Sequence, residues 1–494
     1  MMEINYSELL LLLVPELILV ISALAVLTAD LIWARELSPT KRHTISFSIS
    51  LFGCLGAVIS LLIGTTNSGE GLHWIILGGA TSTVKIGLIG LTLVALAISI
   101  RSHFTKHIGE WYLITLLSLV GMMLMASANH LLLAFVALEL VSLSFYTLVA
   151  FHRKRKEAME GALKYFLLGG VSAAFTLFGL SFIYGATHSM NFNDIAAQVS
   201  AGALTPLLIV GMCAIAIGFG FKIAAVPMHL WAPDAYQVAA PPVATLIASA
   251  SKLASFYLFA RIWSIALGDL VGKIEPGSTQ IGWLMILSVL TVGSLLLGNI
   301  AAIVQTSFKR LLAYSAVAHA GYVLIGIMAN NPDGMASVIY YLLTYGLAVA
   351  GAFSLVLLVE KNEGNDQIQS FANFHTRYPV EAFCMLIFIL SLAGIPPLAG
   401  FFGKFYLFAA ALKSPNAVDL MFWLVVGAIA MSAVSLYYYL KVLKQVYVVT
   451  TSMKQEEKHS DPTLRIIAIL MAAGILVLGC FPDLIVSDLL SDLQ

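Results

Sequence analysis

Fourteen apolar runs of roughly 20 residues, one after another, decide what this chain can fold into. A helix needs about 20 mostly apolar residues to cross the hydrocarbon of a bilayer. The runs fall at 9–33, 44–64, 83–100, 111–127, 130–151, 161–186, 204–225, 242–267, 280–302, 311–329, 335–360, 379–412, 419–447 and 463–482. Hydrophobic residues make up 60% of the 494, and charged residues only 11%. Water-soluble domains hold about 45–50% apolar residues. The sequence therefore predicts an all-α integral membrane protein, with short connections and no inserted soluble domain.

Charge gives these helices a direction. With residue 1 outside, the inward loops hold Arg35, Lys41, Arg42, Arg101, Lys106, Arg153, Lys154, Arg155, Lys156, Lys309, Arg310, Lys361, Arg377, Lys441, Lys444, Lys454, Lys458 and Arg465. The outward loops hold only Lys273 and Lys413. So uneven a split follows the positive-inside rule. It supports fourteen spans with both termini outward, because one missed helix would scramble the alternation. Ala23-Leu24-Ala25 resembles a signal-peptide cleavage site. Glu3 and Glu8 stand where a signal would carry lysines, so the first run reads as a retained helix.

Several chemistries are excluded early. Net charge is zero, which gives no electrostatic reason to expect nucleic acid. Cys54, Cys213, Cys384 and Cys480 are far apart with no Cys-x-x-Cys pair, so a cluster or zinc site is not expected. Gly218-Phe219-Gly220 lacks the third glycine of a dinucleotide fingerprint and leads into an apolar helix.

Six basic residues remain inside the spans: Lys85, Lys164, Lys222, Lys252, Arg261 and Lys404. Lys85 and Arg261 lie near run ends and are expected to snorkel to the headgroups. Lys164 can do the same or pair locally with Glu160. Lys222, Lys252 and Lys404 lie deeper, and Glu139 joins them in the middle of the fifth run. A charge at mid-membrane costs about 2.5–3.5 kcal/mol on insertion scales. Four such groups suggest a hydrated polar path; the alternative is a set of ion pairs tying helices together. Glutamate with lysine suits proton transfer. Burial disfavours the charged form of each, and an opposite charge nearby restores it. A glutamate that approaches and leaves a lysine thus switches that lysine's hold on its proton.

The runs that carry Lys222 and Lys404 look broken. Lys222 lies in "GFGFKIAAVPMHLWAPDAYQVAAPP" (218–242), with Pro227 soon after it. Lys404 lies in "SLAGIPPLAGFFGKFY" (391–406), behind Gly394, Pro396 and Pro397. Proline removes a ladder hydrogen bond. Free backbone at membrane depth survives only where protein or a wet cavity satisfies it. Gly218-Phe219-x-x-Lys222 also matches Gly400-Phe401-x-x-Lys404, five spans apart. Spans 4–8 and 9–13 would then be two five-helix repeats, and an odd number per repeat makes them inverted. The expected divisions are 1–110 (three helices), 111–267 (first repeat), 279–450 (second repeat) and 451–494 (the last helix). His319, in "SAVAHAGYVLIG" (315–326), is either a hydrogen-bonding strut or a relay between Lys252 and Lys404. His229 and Asp234 read as structural hydrogen-bonding groups.

"LELVSL" around Glu139, "GFGFKIAAVPMHLWAPDAYQ", "ASKLA" around Lys252, "FKRLLAYSAVAHAGY" and "LSLAGIPPLAGFFGKFY" resemble the antiporter-like membrane subunits of respiratory complex I, the N type above all. The resemblance is strongest over 111–450. One departure is visible: Val238-Ala239-Ala240 stands where the family usually has a glycine. The resemblance implies proton translocation through Glu139, Lys222, Lys252 and Lys404, with Lys164 on the entrance side and His319 bridging the middle. It implies no cofactor on this chain. NAD(H), FMN, iron–sulfur clusters and quinone would belong to partner subunits, both membrane and peripheral. It also implies a multi-pass protein of a bacterial inner membrane. Two rivals keep the same charged axis: an Mrp-type cation/proton antiporter subunit and a non-transporting scaffold.

Overall fold

The computed structural model describes residues 10–64, 74–102, 104–151, 156–202, 205–275, 278–280, 282–415, 418–450 and 460–493. Glu3, Glu8, Arg153, Lys154, Arg155, Lys454 and Lys458, used above, lie outside the described residues.

Among the described residues, twelve helices are long and apolar enough to cross a membrane. They are α1 (Val14–Ala34), α2 (Pro39–Gly64), α3 (Gly79–Ser99), α4 (Ile108–Ser127), α5 (Leu131–Val149), α6 (Lys156–Thr187), α8 (Pro241–Ala266), α9 (Trp283–Ile303), α10 (Phe308–Met328), α11 (Pro332–Glu363), α13 (Val418–Tyr447) and α14 (Pro462–Cys480). Shorter apolar helices stand where the seventh and twelfth spans were expected. We call these α7 (Pro206–Lys222, then Trp231–Val238) and α12 (Pro379–Ala393, then Ala399–Leu412).

Local chemistry sets several helix ends. Ser307 accepts from the amide of Arg310 and Asn331 from that of Gly334, so each caps a helix start. Pro332 and Pro462 occupy first helical positions, where the missing amide costs nothing. Besides short helical turns at Ile368–Phe371 and Phe374–Arg377, three smaller elements were not expected from apolar runs. They are a helix at Phe192–Ala201, a terminal helix at Asp483–Leu493 and an antiparallel hairpin pairing Lys273–Glu275 with Ser278–Gln280. That hairpin is the only sheet among the described residues. All three carry too many polar residues to register as membrane segments.

Burial separates core from rim. The most apolar window is wholly buried in α8, 94% buried in α10 and 89% in α11, against 28% in α2, α6 and α13. The three inner helices can therefore carry polar side chains that a lipid-facing helix could not. Small residues let helices close up. A Cβ on Gly218 of α7 would sit 2.9 Å from the Ser172 carbonyl of α6. The Ser172 hydroxyl donates to the Gly218 carbonyl at 2.6 Å.

Two expectations are corrected here. Lys85 does not snorkel: it is fully buried and pairs with Glu16 of α1 at 2.7 Å. Arg261 is also buried, and its guanidinium donates to the carbonyls of Ala126 and Ala128 at 3.0 and 2.9 Å and to Asn129 at 3.2 Å. Nearness to a helix end says nothing about which face a residue takes. Both of these face the bundle.

Candidate functional site

Glu139 and Ser142 are one turn apart on the face of α5 turned to α7. Lys222, the last residue of the first half of α7, donates to the Ser142 hydroxyl at 3.0 Å and lies 5.6 Å from the Phe145 ring centre. Glu139 is half-buried and interacts electrostatically with Lys222, although the ammonium's bonded neighbour is Ser142. Carboxylate and amine form no ion pair within 4 Å and so are not locked together.

The helix stops at Lys222, and the freed backbone is taken up by protein. Ala224 has a positive φ of 58°. The Trp231 indole donates to the Phe221 carbonyl at 2.8 Å, and the Val226 amide donates to Ser294 at 3.0 Å. The next acceptor matters most. Lys252 of α8 donates to the Ile223 carbonyl at 3.2 Å and to the Ala316 carbonyl of α10 at 2.8 Å. One lysine therefore joins the break in α7 to the middle of α10.

His319 lies one turn beyond Ala316 on α10. Its Nδ1 meets the Tyr341 hydroxyl at 2.5 Å, and its Nε2 meets the Tyr439 hydroxyl at 3.0 Å. Tyr439 in turn is hydrogen-bonded to the Ser315 hydroxyl at 2.5 Å. His319 interacts electrostatically with both Lys404 and Lys252.

Lys404 lies in the second half of α12 and reaches back to the first. It donates to the carbonyls of Leu392 and Ala393 at 3.2 and 2.9 Å and to Ser432 at 2.9 Å. Those carbonyls are helix-end groups with no partner inside the helix, at the negative end of its dipole. Gly394, in the left-handed region at φ 87°, ends that half, and its amide and that of Ile395 both donate to the Leu390 carbonyl at 3.0 Å. The bonds before Pro227 and Pro397 are cis. A void of about 10 Å³ lies among His319, Tyr341, Tyr345, Ser391 and Leu392. That is about the space one water needs.

Five of the six residues singled out in the sequence thus form one row: Glu139, Lys222, Lys252, His319 and Lys404. Lys164 stands apart. It is half-exposed, pairs with Glu160 at 2.8 Å and reaches Asp234 at 3.3 Å. Asp234 also holds Arg310 at 2.8 Å, a structural role. Ser142, Ser432, Tyr341 and Tyr439 complete the row and were not foreseen. Serine and tyrosine are common in membrane helices, and only the three-residue step from Glu139 to Ser142 could have pointed to one of them.

Residues 128–434, which contain Glu139, Lys222, Lys252, His319 and Lys404, match the NADH:quinone oxidoreductase/Mrp antiporter transmembrane family, and the chain belongs to that family. Its relatives narrow the class. An Acidobacterium capsulatum protein named NADH-quinone oxidoreductase subunit N 2 is 44% identical over 98% of this chain and 99% of its own length. An F420H2 dehydrogenase subunit N of Methanosarcina mazei is 36% identical over 98% of this chain and 97% of its own. A chain of respiratory complex I from Thermus thermophilus superposes with a TM-score of 0.78 at 30% identity, over 96% of this chain and 98% of that one. A chain of the Dietzia Mrp complex gives 0.82 at 19% identity, over 97% of each, a likeness of fold.

Proposed function

We propose that this chain is a multi-pass membrane subunit of an NADH–quinone oxidoreductase and conducts protons across the membrane. Electron transfer in other subunits would drive it. NAD(H), FMN, iron–sulfur clusters and quinone would reside there. The observation that carries the reading is the row itself, in which four buried basic side chains and one carboxylate follow one another across the bundle. Glu139 lies near Lys222, Lys252 bonds the Ile223 carbonyl next along the chain from Lys222, and His319 lies between Lys252 and Lys404.

The chemistry is one of position. With Glu139 close, Lys222 holds its proton. When the charge arrangement in the partners shifts and Glu139 draws away, Lys222 releases its proton toward Lys252. His319 passes it to Lys404, whose carbonyl cradle receives a cation. Lys164 stands near the basic face, on the side where protons would enter. The breaks at Pro227 and at Gly394, Pro396 and Pro397 supply the joints. The two inverted five-helix repeats, 111–267 and 279–450, would place these joints in opposite senses. Both termini would face outward in a bacterial inner membrane. The donor is a property of the partners: relatives bear both NADH and F420H2 names.

Lys222→Met in the assembled complex, reconstituted in sealed vesicles, tests this. Uncoupled quinone reduction should persist, and proton uptake should fall about tenfold or more. Unchanged proton uptake would refute the assignment. The Mrp-like fold favours a second reading, a cation/proton antiporter. Mild-detergent purification separates the two, because only the first brings flavin and iron–sulfur subunits along.

A further inference from the structure

On the basic face, beside α3, α8, α10 and α11, a cleft of about 300 Å³ is lined by Arg101, Lys309, Glu360 and Lys361, with Ala239 and Pro241 among its backbone walls. It far exceeds the roughly 10–15 Å³ that one water needs. Lys309 is only 2% exposed, pairs with Glu360 at 2.7 Å and donates to the Ala239 carbonyl at 3.1 Å. The row described above makes no use of this pair.

Helix α11 runs from the cleft to the row without a break. Leu357 and Glu360 line the cleft. One turn deeper, the Phe353 ring lies 6.2 Å from that of Tyr236. Deeper again, Tyr345 and Tyr341 line the void beside His319. The Tyr345 ring is 4.8 Å from the imidazole. Among the described residues, the hydroxyls of Tyr236 and Tyr345 are buried with no hydrogen-bond partner. Buried polar groups are normally paired. Two such groups along α11 between a polar cleft and a histidine, the inner one lining a void of about one water's size, mark a path.

We propose that Glu360 collects protons at the basic face and that Tyr236 and Tyr345 pass them to His319. This rests on the proton-conducting reading. Glu360 takes one proton from cleft water and releases one to the next water inward. Each tyrosine oxygen accepts a proton and gives up its own, and nothing is oxidised or reduced. Lys309 is a positioning residue that holds the carboxylate at the cleft wall.

Three variants in the assembled, vesicle-reconstituted complex test it: Glu360→Gln, Tyr345→Phe and Lys222→Met. Uncoupled quinone reduction is expected to persist in the first two, with proton uptake down about tenfold. Formate, a small diffusible acid, should restore uptake to Glu360→Gln but not to Tyr345→Phe, and Glu360→Asp should keep most of it. Loss in Glu360→Gln that neither formate nor aspartate repairs indicates a structural role and overturns the proposal. Wild-type uptake in Glu360→Gln and Tyr345→Phe, with Lys222→Met inactive, overturns the entrance and leaves the row standing. Wild-type uptake in all three overturns the reading beneath it.

Discussion

A lysine away from water must take its hydrogen bonds from the protein, and each buried lysine here takes a different set. Lys252 uses backbone carbonyls, Lys404 carbonyls and Ser432, Lys222 a serine, Lys85 a carboxylate, and Lys309 a carboxylate with a carbonyl. The Lys85–Glu16 pair ties α1 to α3 outside the stretch that defines the family. Removing one member of a buried pair typically costs about 3–5 kcal/mol, while replacing both with apolar groups is often close to neutral. Glu16→Leu and Lys85→Met should therefore each lower thermal stability by about that amount, and the double variant should recover most of it. A double-mutant cycle on the detergent-purified complex measures this; simple additivity would show that the pair is not coupled. The acid and lysines of the row were legible because charge in an apolar run is conspicuous. The partners of Lys85 and Arg261 were not, since they depend on which helices touch.

At the scale of an element, the breaks matter most. Gly394, Pro396 and Pro397 announce one, and Pro227 the other, because each blocks or ends a helical ladder. The strings around the two lysines mislead on one point. Gly-Phe-x-x-Lys closes the first half of α7 but lies in the second half of α12, so the lysines approach their breaks from opposite sides. Sequence shows the string and the prolines, while the exact turn at which the ladder fails is set by tertiary partners such as Trp231 and Ser294. A Cβ on Gly400 would lie 1.9 Å from the Ser391 carbonyl, whereas one on Gly427 meets nothing within 4 Å. Gly400→Ala should push the halves of α12 apart, cost about 1–3 kcal/mol and reduce proton uptake through Lys404. Gly427→Ala should leave both stability and uptake unchanged. Melting and vesicle assays on the pair check this, and equal behaviour of the two would remove the hinge from the account.

Over the whole molecule, three helices are almost wholly buried among more exposed ones, and charge sorts to one face. Asp234, Arg310, Lys309, Glu360, Lys361, Asp461 and Arg101 pair with one another there. If that face is inward, cysteine placed at Lys361 should react with an impermeant thiol reagent only in inverted vesicles. Cysteine at Lys413 should react only in right-side-out ones, each in a background lacking Cys54, Cys213, Cys384 and Cys480. The reverse pattern would invert the orientation. The many-helix membrane character was legible because apolar length is additive along a chain. The central place of α8, α10 and α11 was not, since burial is collective. In mechanical terms, α10 and α11 are unjointed rods, and they carry His319, Tyr341 and Tyr345. Lys222 and Lys404 ride on the jointed members. If protons follow the proposed row, a machine built so has a stator and two moving contacts: a switching stroke displaces Lys222 and Lys404, while the histidine between them keeps its address.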